Sequence, residues 1–150
     1  MTPNAHSPEG NLSLVTLGVA SLNRSVAFYE TLGFERKAKD VPGVGFFKAG
    51  ACAIAVWPSN ELAKDANVAH EGMAETFRGV ALAWNCRSKA DVDKVIKRAK
   101  SAGAVVRKPA QDAVWGGYSG YFTDLDGHLW EVAFNPEWPM ADDGRLQIPD

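Results

Sequence analysis

Tyr121-Phe122-Thr123-Asp124-Leu125-Asp126-Gly127-His128-Leu129-Trp130-Glu131-Val132 is a pair of apolar runs about a polar turn, the pattern of a β-hairpin. Each run has the composition of a strand, and the residues between them are turn formers with a glycine among them. A type I turn with Gly127 in a bulge pairs Asp124 with His128, which brings Tyr121 opposite Glu131. A slip of one residue would bring Gly120 there instead. Glu131 is the odd residue, a carboxylate inside an apolar strand. Burying it ionised and alone is costly, so it needs a metal, a hydrogen-bond donor or a proton. Tyr121 is the donor that the favoured register offers.

The residues before this hairpin repeat a plan already used once in the chain. In the first half, 12–19 is a β-branched-rich strand, and Ser21 caps a helix whose apolar positions are Leu22, Val26, Tyr29 and Leu32. Gly33 supplies the stop, and 45–48 with 53–57 form a hairpin. In the second half, 79–86 is a strand, and Ser88 with Asp91 has capping-box spacing. Val92, Val95, Ile96 and Ala99 make a helical stripe, Asp93 and Lys97 form an i, i+4 pair, and Gly103 ends the helix. Segments 118–123 and 128–134 close the second hairpin, and short extra strands are expected near 36–39 and 105–107. The order is therefore β-α-β-β, twice, or β-α-β-β-β where those further strands form. Module one covers about 12–58, a polar, Ala-rich linker 59–78, module two 79–136 and a tail 137–150, all in a single domain. Ser59 or Asn60 is placed to cap one short helix in the linker. Two modules of this size are too small to stand alone and must pack together or with a partner chain.

Composition narrows the function classes. The chain has 150 residues and a formal charge of −2, with no basic block, which argues against nucleic acid and anionic membranes as partners. It has no run of about 18 apolar residues, and 1–10 lacks the basic start and apolar stretch of a signal peptide, so a loose tail is expected there. Cys52 and Cys86 lie in apolar runs outside any Cys-x-x-Cys spacing, which reads as two buried thiols in a reduced, cytoplasmic protein.

With both halves in view, Leu17-Gly18-Val19-Ala20-Ser21-Leu22-Asn23-Arg24-Ser25-Val26-Ala27-Phe28-Tyr29 resembles the first-module signature of the vicinal oxygen chelate superfamily. This superfamily includes glyoxalase I, bleomycin-resistance proteins and extradiol dioxygenases. Asp124-Leu125-Asp126-Gly127-His128-Leu129-Trp130-Glu131 is similar to its closing hairpin, with Leu125 where the family usually has Pro. The resemblance covers most of 12–136. It implies an α+β fold of paired β-α-β-β-β modules forming a curled mixed sheet around a cleft, in which four positions hold a divalent metal in the metalloenzymes. Carried over one at a time, those positions fall on Leu14, about Ala55, about Ala81 and Glu131. Zinc takes roughly three protein ligands plus water, so a single carboxylate does not make the site, and no metal or other cofactor is expected.

What the resemblance then implies is a cleft protein without its ion. Glu131 reads either as an acid, base or anchor in a dry cleft or as a carboxylate merely held by a neighbour. Alternation places Leu14, Thr16, Ala83, Asn85 and Trp57 on the cleft side, with Trp84 beneath a helix. Trp115-Gly116-Gly117-Tyr118-Ser119-Gly120-Tyr121 reads as a flexible aromatic lip over a flat ligand, or else as a loop packed on the core. Trp115, Tyr118 and Tyr121 are thus candidate ligand-binding residues beside Leu14, Thr16, Trp57 and Asn85, with Glu131 as the candidate catalytic group. Asp124 and Asp126 make a turn rather than a calcium loop, the histidines read as surface residues, and Cys86 lacks a visible base for a nucleophilic role. Trp138 lies between prolines in a tail expected to wrap back over the fold or a partner. The function expected is binding of a small, partly apolar or aromatic molecule, by sequestration or by simple lyase- or isomerase-like proton transfer, in a homodimer. The alternative is a metal-dependent lyase or dioxygenase with substitute ligands.

Overall fold

The computed structural model describes residues 8–150. His6 and most of the expected N-terminal tail lie outside them. The first module runs β1 (Leu14–Val19), α1 (Leu22–Leu32), β2 (Glu35–Lys37), β3 (Gly45–Ala49) and β4 (Cys52–Pro58). After α2 (Ser59–Asp65) the second runs β5 (Ala81–Asn85), α3 (Lys89–Ser101), β6 (Val105–Asp112), β7 (Tyr118–Thr123) and β8 (Leu129–Phe134). The α+β order is the one the sequence implies, including the extra strands β2 and β6, although β6 spans eight residues and runs well past the short strand expected near 105–107. Backbone pairing divides the strands into two four-stranded mixed sheets, ordered β1-β4-β3-β2 and β5-β8-β7-β6, and neither closes into a barrel.

Local signals explain where the elements start and stop. The Ser21 hydroxyl accepts from Arg24 N at the head of α1, and Gly33 ends that helix in the left-handed region. The Ser88 hydroxyl accepts from Asp91 N at 3.1 Å at the head of α3. The short linker helix differs from expectation. It starts at Ser59 behind Pro58, and no side chain caps it. Proline has already fixed φ there, so the first turn needs no cap to set its direction. Asp93 also departs from its expected pairing with Lys97, because it accepts the Tyr118 hydroxyl at 2.7 Å.

One apolar core joins the modules. Leu17, Val19, Phe47, Ile54 and Val56 of the first sheet and Phe122, Trp130 and Val132 of the second belong to the same buried cluster as Tyr29, Leu32, Val92, Val95 and Ala99 of the helices. Tyr29 touches Phe47 of one sheet and Trp130 of the other, with ring centroids 5.9 and 6.1 Å away. Alternation then leaves the other face of each sheet for Leu14, Thr16, Ala55 and Trp57 in module one and for Ala83, Asn85, Glu131 and Ala133 in module two. Polar ties complete the junction. Tyr29 donates to Asp124 at 2.5 Å, Ala20 N donates to Asp126 at 2.8 Å, and His128 Nε2 lies 2.7 Å from Gly18 O. His128, expected at the surface, is therefore a half-buried tie between modules.

Candidate functional site

The β7–β8 hairpin forms in the register that joins Tyr121 to Glu131. Asp124 N donates to His128 O at 2.9 Å, and Gly127 takes a φ of 82°, where a side chain would strain the bulge. With the turn fixed, Tyr121 Oη donates to Glu131 Oε2 at 2.8 Å. The hydrogen bond to Glu131, reinforced by partial burial, raises the Tyr121 pKa above its ordinary value. Tyr121 thus remains a neutral donor through the physiological range. Among the described residues no protein donor reaches Oε1 of Glu131.

Glu131 lines a cavity of about 480 Å³ with Ala83, Asn85, Trp115, Ala133, Asn135, Glu137, Trp138 and Leu146. Ala83, Asn85 and Ala133 belong to the floor because β5 and β8 pair in parallel, with Ala83 opposite Glu131 and Asn85 opposite Ala133. Trp115 closes one side. Its ring folds back onto Gly117, where an added Cβ would collide with the indole and come within 2.6 Å of Phe134 O. Only glycine permits that approach, so the Gly-rich segment is what positions the aromatic wall.

A further part of the wall comes from the tail. Asn135 Oδ1 accepts from Glu137 N at 3.0 Å, and Asn135 O accepts from Trp138 N at 3.3 Å, a turn that presents Glu137 and Trp138. Beyond it, Met140 and Leu146 face each other in a small antiparallel bridge, and Arg87 donates to Met140 O and Ala141 O at 3.3 and 2.9 Å. The tail therefore does wrap over the fold. Leu146, Ala83 and Asn85 also line an adjoining cavity of about 520 Å³ that reaches Phe34, Trp84 and Cys52. Asn135, Glu137, Trp138 and Leu146 are wall residues that the sequence reading did not single out, although Trp138 between prolines was a legible hint.

Several candidate residues lie elsewhere. Tyr118 is on the helix side of its sheet, where its hydroxyl donates to Asp93 of α3 and Lys89 sits 5.5 Å from its ring centroid. It stands three positions before Tyr121, and an odd spacing along a strand reverses the face. Trp57 lines a shallow hollow with Glu61, Lys64 and Asp65, because α2 docks against the end of β4. Leu14 is 40% exposed and Thr16 is half-buried on β1, and neither lines the Glu131 cavity. Of the expected ligand-binding residues, the structure brings Asn85 and Trp115 to Glu131 around that cavity, with Tyr121 holding the carboxylate.

The fold's metal positions do not fit an ion. Leu14, Ala55 and Ala81 offer no donor beside Glu131, and among the described residues no group of three or more His, Cys, Asp or Glu side chains converges. Cys86 has no catalytic setting either. It is buried in the core, and burial, aided by the Asp91 charge, pushes its thiol up to about 11.

Comparison with known proteins agrees with this architecture. None of the curated proteins matches the chain. Among solved structures, a glyoxalase-related enzyme from Fulvimarina pelagi is 33% identical, with a TM-score of 0.84 over 93% of this chain and 99% of that one. A lactoylglutathione lyase from Agrobacterium tumefaciens is 25% identical, with a TM-score of 0.66 over 89% of this chain and 100% of its own. A glyoxalase/bleomycin resistance protein/dioxygenase family enzyme from Burkholderia phytofirmans PsJN, 19% identical with a TM-score of 0.71 over 83% and 98% of the two chains, shares the fold. The model of the Glyoxalase/Bleomycin resistance protein/Dioxygenase superfamily matches residues 11–132, and the chain belongs to that superfamily.

Proposed function

We propose that this protein binds a small, partly aromatic molecule in the Glu131 cavity, and either sequesters it or moves a proton on it through Glu131. The observation that carries the reading is a carboxylate held at one oxygen by Tyr121 while it lines a cavity walled by Trp115 and Trp138. A pocket of a few hundred Å³ with aromatic walls and a few convergent polar groups suits a small organic ligand. The similarity to a lactoylglutathione lyase lends weight to a lyase-type reaction over sequestration alone. In that step Glu131 would accept or return a proton at a carbon or oxygen of the ligand, with Tyr121 steadying the carboxylate as its charge changes. Glu131 alone does not fit a metal, and the proton step needs only the carboxylate and Tyr121.

Two further expectations belong to this proposal. The free thiols of Cys52 and Cys86 suit a reducing, cytoplasmic setting, and no helix among the described residues is long and apolar enough to cross a membrane. Leu12, Leu14, Val114 and Trp115 are large exposed apolar side chains, which favours a homodimer as the working unit.

The test is ligand-dependent quenching of tryptophan fluorescence, paired with native mass spectrometry for co-purified ligand and subunit count. Glu131→Gln separates the two modes. For proton transfer, turnover should fall about 10²–10⁴-fold with binding nearly kept. For sequestration, no turnover is seen in either protein and binding alone responds. Failure of any small molecule to quench Trp115 or Trp138, or to co-purify, would defeat the proposal.

A further inference from the structure

We infer that the Glu131 cavity selects flat organic cations: an aromatic or quaternary ammonium group held between Trp115 and Trp138 and countered by Glu131 and Glu137. The inference rests on the small-molecule reading of the same cavity and adds the sign of the ligand's charge.

Charge in the wall is the first observation. Glu131 and Glu137 line the cavity, and the remaining lining residues are alanines, asparagines, tryptophans and a leucine, with no Lys, Arg or His among them. The cations of the neighbourhood are engaged or outside. Arg87 donates to Met140 O and Ala141 O, Arg145 lines the adjoining cavity but pairs with Asp143 at 3.1 Å, and Lys108, opposite Tyr121 on β6, is exposed and outside the lining. An anionic ligand would meet two carboxylates with no compensating cation in the wall, a built-in discrimination against that class.

The walls are the second, independent observation. Trp115 and Trp138 come from different segments, the β6–β7 loop and the tail, and both reach the same space. Indole is the most favourable side chain for binding a cation on its face, and the preference strengthens where water is excluded. Asn85 and Asn135 supply amide groups that accept or donate without adding charge. Position divides the labour between the acids. Glu131 is half-buried and held by Tyr121, so it fixes one point of the ligand. Glu137 is exposed on the tail turn and acts at the entrance.

The test is calorimetric titration of the full chain with three flat probes at neutral pH: N-methylquinolinium as cation, quinoline as its uncharged counterpart and naphthoate as anion. N-methylquinolinium should bind roughly tenfold more tightly than quinoline, and naphthoate most weakly. Glu137→Gln, a change at an exposed residue that leaves the core untouched, should cut the preference for the cation several-fold and leave quinoline affinity unchanged. Trp138→Leu should weaken the cation and quinoline together. Quinoline or naphthoate binding as tightly as the cation, or a cation preference that survives both Glu131→Gln and Glu137→Gln, overturns the inference and leaves the small-molecule reading intact. No saturable binding of any of the three probes overturns the inference as well, while the small-molecule reading falls only if no ligand co-purifies or quenches either.

Discussion

Asp124 and Glu131 stand seven residues apart in one hairpin, each takes a tyrosine hydroxyl, and their surroundings are opposite. Asp124 is 5% exposed and accepts three hydrogen bonds, from Tyr29 Oη at 2.5 Å and from the backbone of Asp126 and His128, both at 2.9 Å. Its tyrosine is fixed in turn, since Trp130 Nε1 donates to Tyr29 Oη at 3.1 Å. Glu131 is half-buried, takes one donor from Tyr121 and lines a cavity. A carboxylate with its lone pairs occupied by the protein is structural, because nothing is left over for a ligand. A carboxylate held at one oxygen and turned to a cavity is positioned yet available. The lesson is that the number of protein donors, more than burial alone, separates a strut from a site.

The largest test of that contrast is stability. Asp124→Ala strands the Tyr29 hydroxyl and two backbone N–H groups at a buried junction, and should cost about 3–5 kcal/mol. Tyr29→Phe removes one partner of the network and should cost about 1–3 kcal/mol. Glu131→Ala should stay within about 1 kcal/mol, since its surroundings are half open. Urea unfolding with unchanged slopes measures all three. Equal losses for Asp124→Ala and Glu131→Ala would erase the distinction.

The same contrast explains what the sequence displays and what it hides. The two modules, the Ser21 and Ser88 caps, the left-handed Gly33 and the Tyr121–Glu131 pairing are all written in short-range patterns: period two, period 3.6 and turn chemistry. The struts are not. Tyr29 and Asp124 lie 95 residues apart and His128 and Gly18 lie 110 apart, and no local pattern announces such a pair. The site is divided in the same way. Asn85 and Trp115 follow from strand parity and from a glycine-rich approach, whereas Glu137, Trp138 and Leu146 enter only because Arg87 and the Met140–Leu146 bridge fold the tail back. Trp57 shows the reverse case. Parity puts it on the face of Ala55, but α2 follows at once and takes up its surroundings.

The two tyrosines should also differ on alkaline titration. Tyr29 is held well above its ordinary value of 10.0, first by burial and then by the Asp124 charge, and Tyr121 is raised mainly by its hydrogen bond to Glu131. A folded-state pKa above the unfolded one gives a stabilisation that is complete below pH 10 and is lost as pH rises beyond it, because the unfolded chain ionises first. The slope for one such group is about 1.4 kcal/mol per pH unit. Stability of the native chain should therefore decline above about pH 10, with a shallower decline in Tyr29→Phe and a smaller change in Tyr121→Phe. Tyrosinate absorbance should show Tyr29 ionising only as the protein unfolds. Early ionisation of Tyr29 in the folded state would mean that the Asp124 strut is looser than its hydrogen bonds indicate.

The smallest expected effect concerns the two thiols, which repeat the contrast between a locked group and an available one. Cys86 is 8% exposed, packed among core side chains, and its thiol is pushed up to about 11, so the reactive thiolate is scarce at neutral pH. Cys52 is half-buried at the start of β4, with Sγ 3.3 Å from Ser13 O, and it lines the cavity adjoining the Glu131 site. The apolar runs around them predict that both thiols are buried, and Cys52 departs from that. Position at a strand end, beside the exposed Ala51 of the β3–β4 turn, is what leaves Cys52 reachable. A disulfide reagent should accordingly label Cys52 in the native protein and Cys86 only at the rate of unfolding. Labelling of Cys52 should change stability by less than about 1 kcal/mol, as a surface-side change does. Prompt labelling of Cys86 would instead show that the core beneath β5 opens without global unfolding, and that the floor of the Glu131 cavity is less rigid than its paired strands imply.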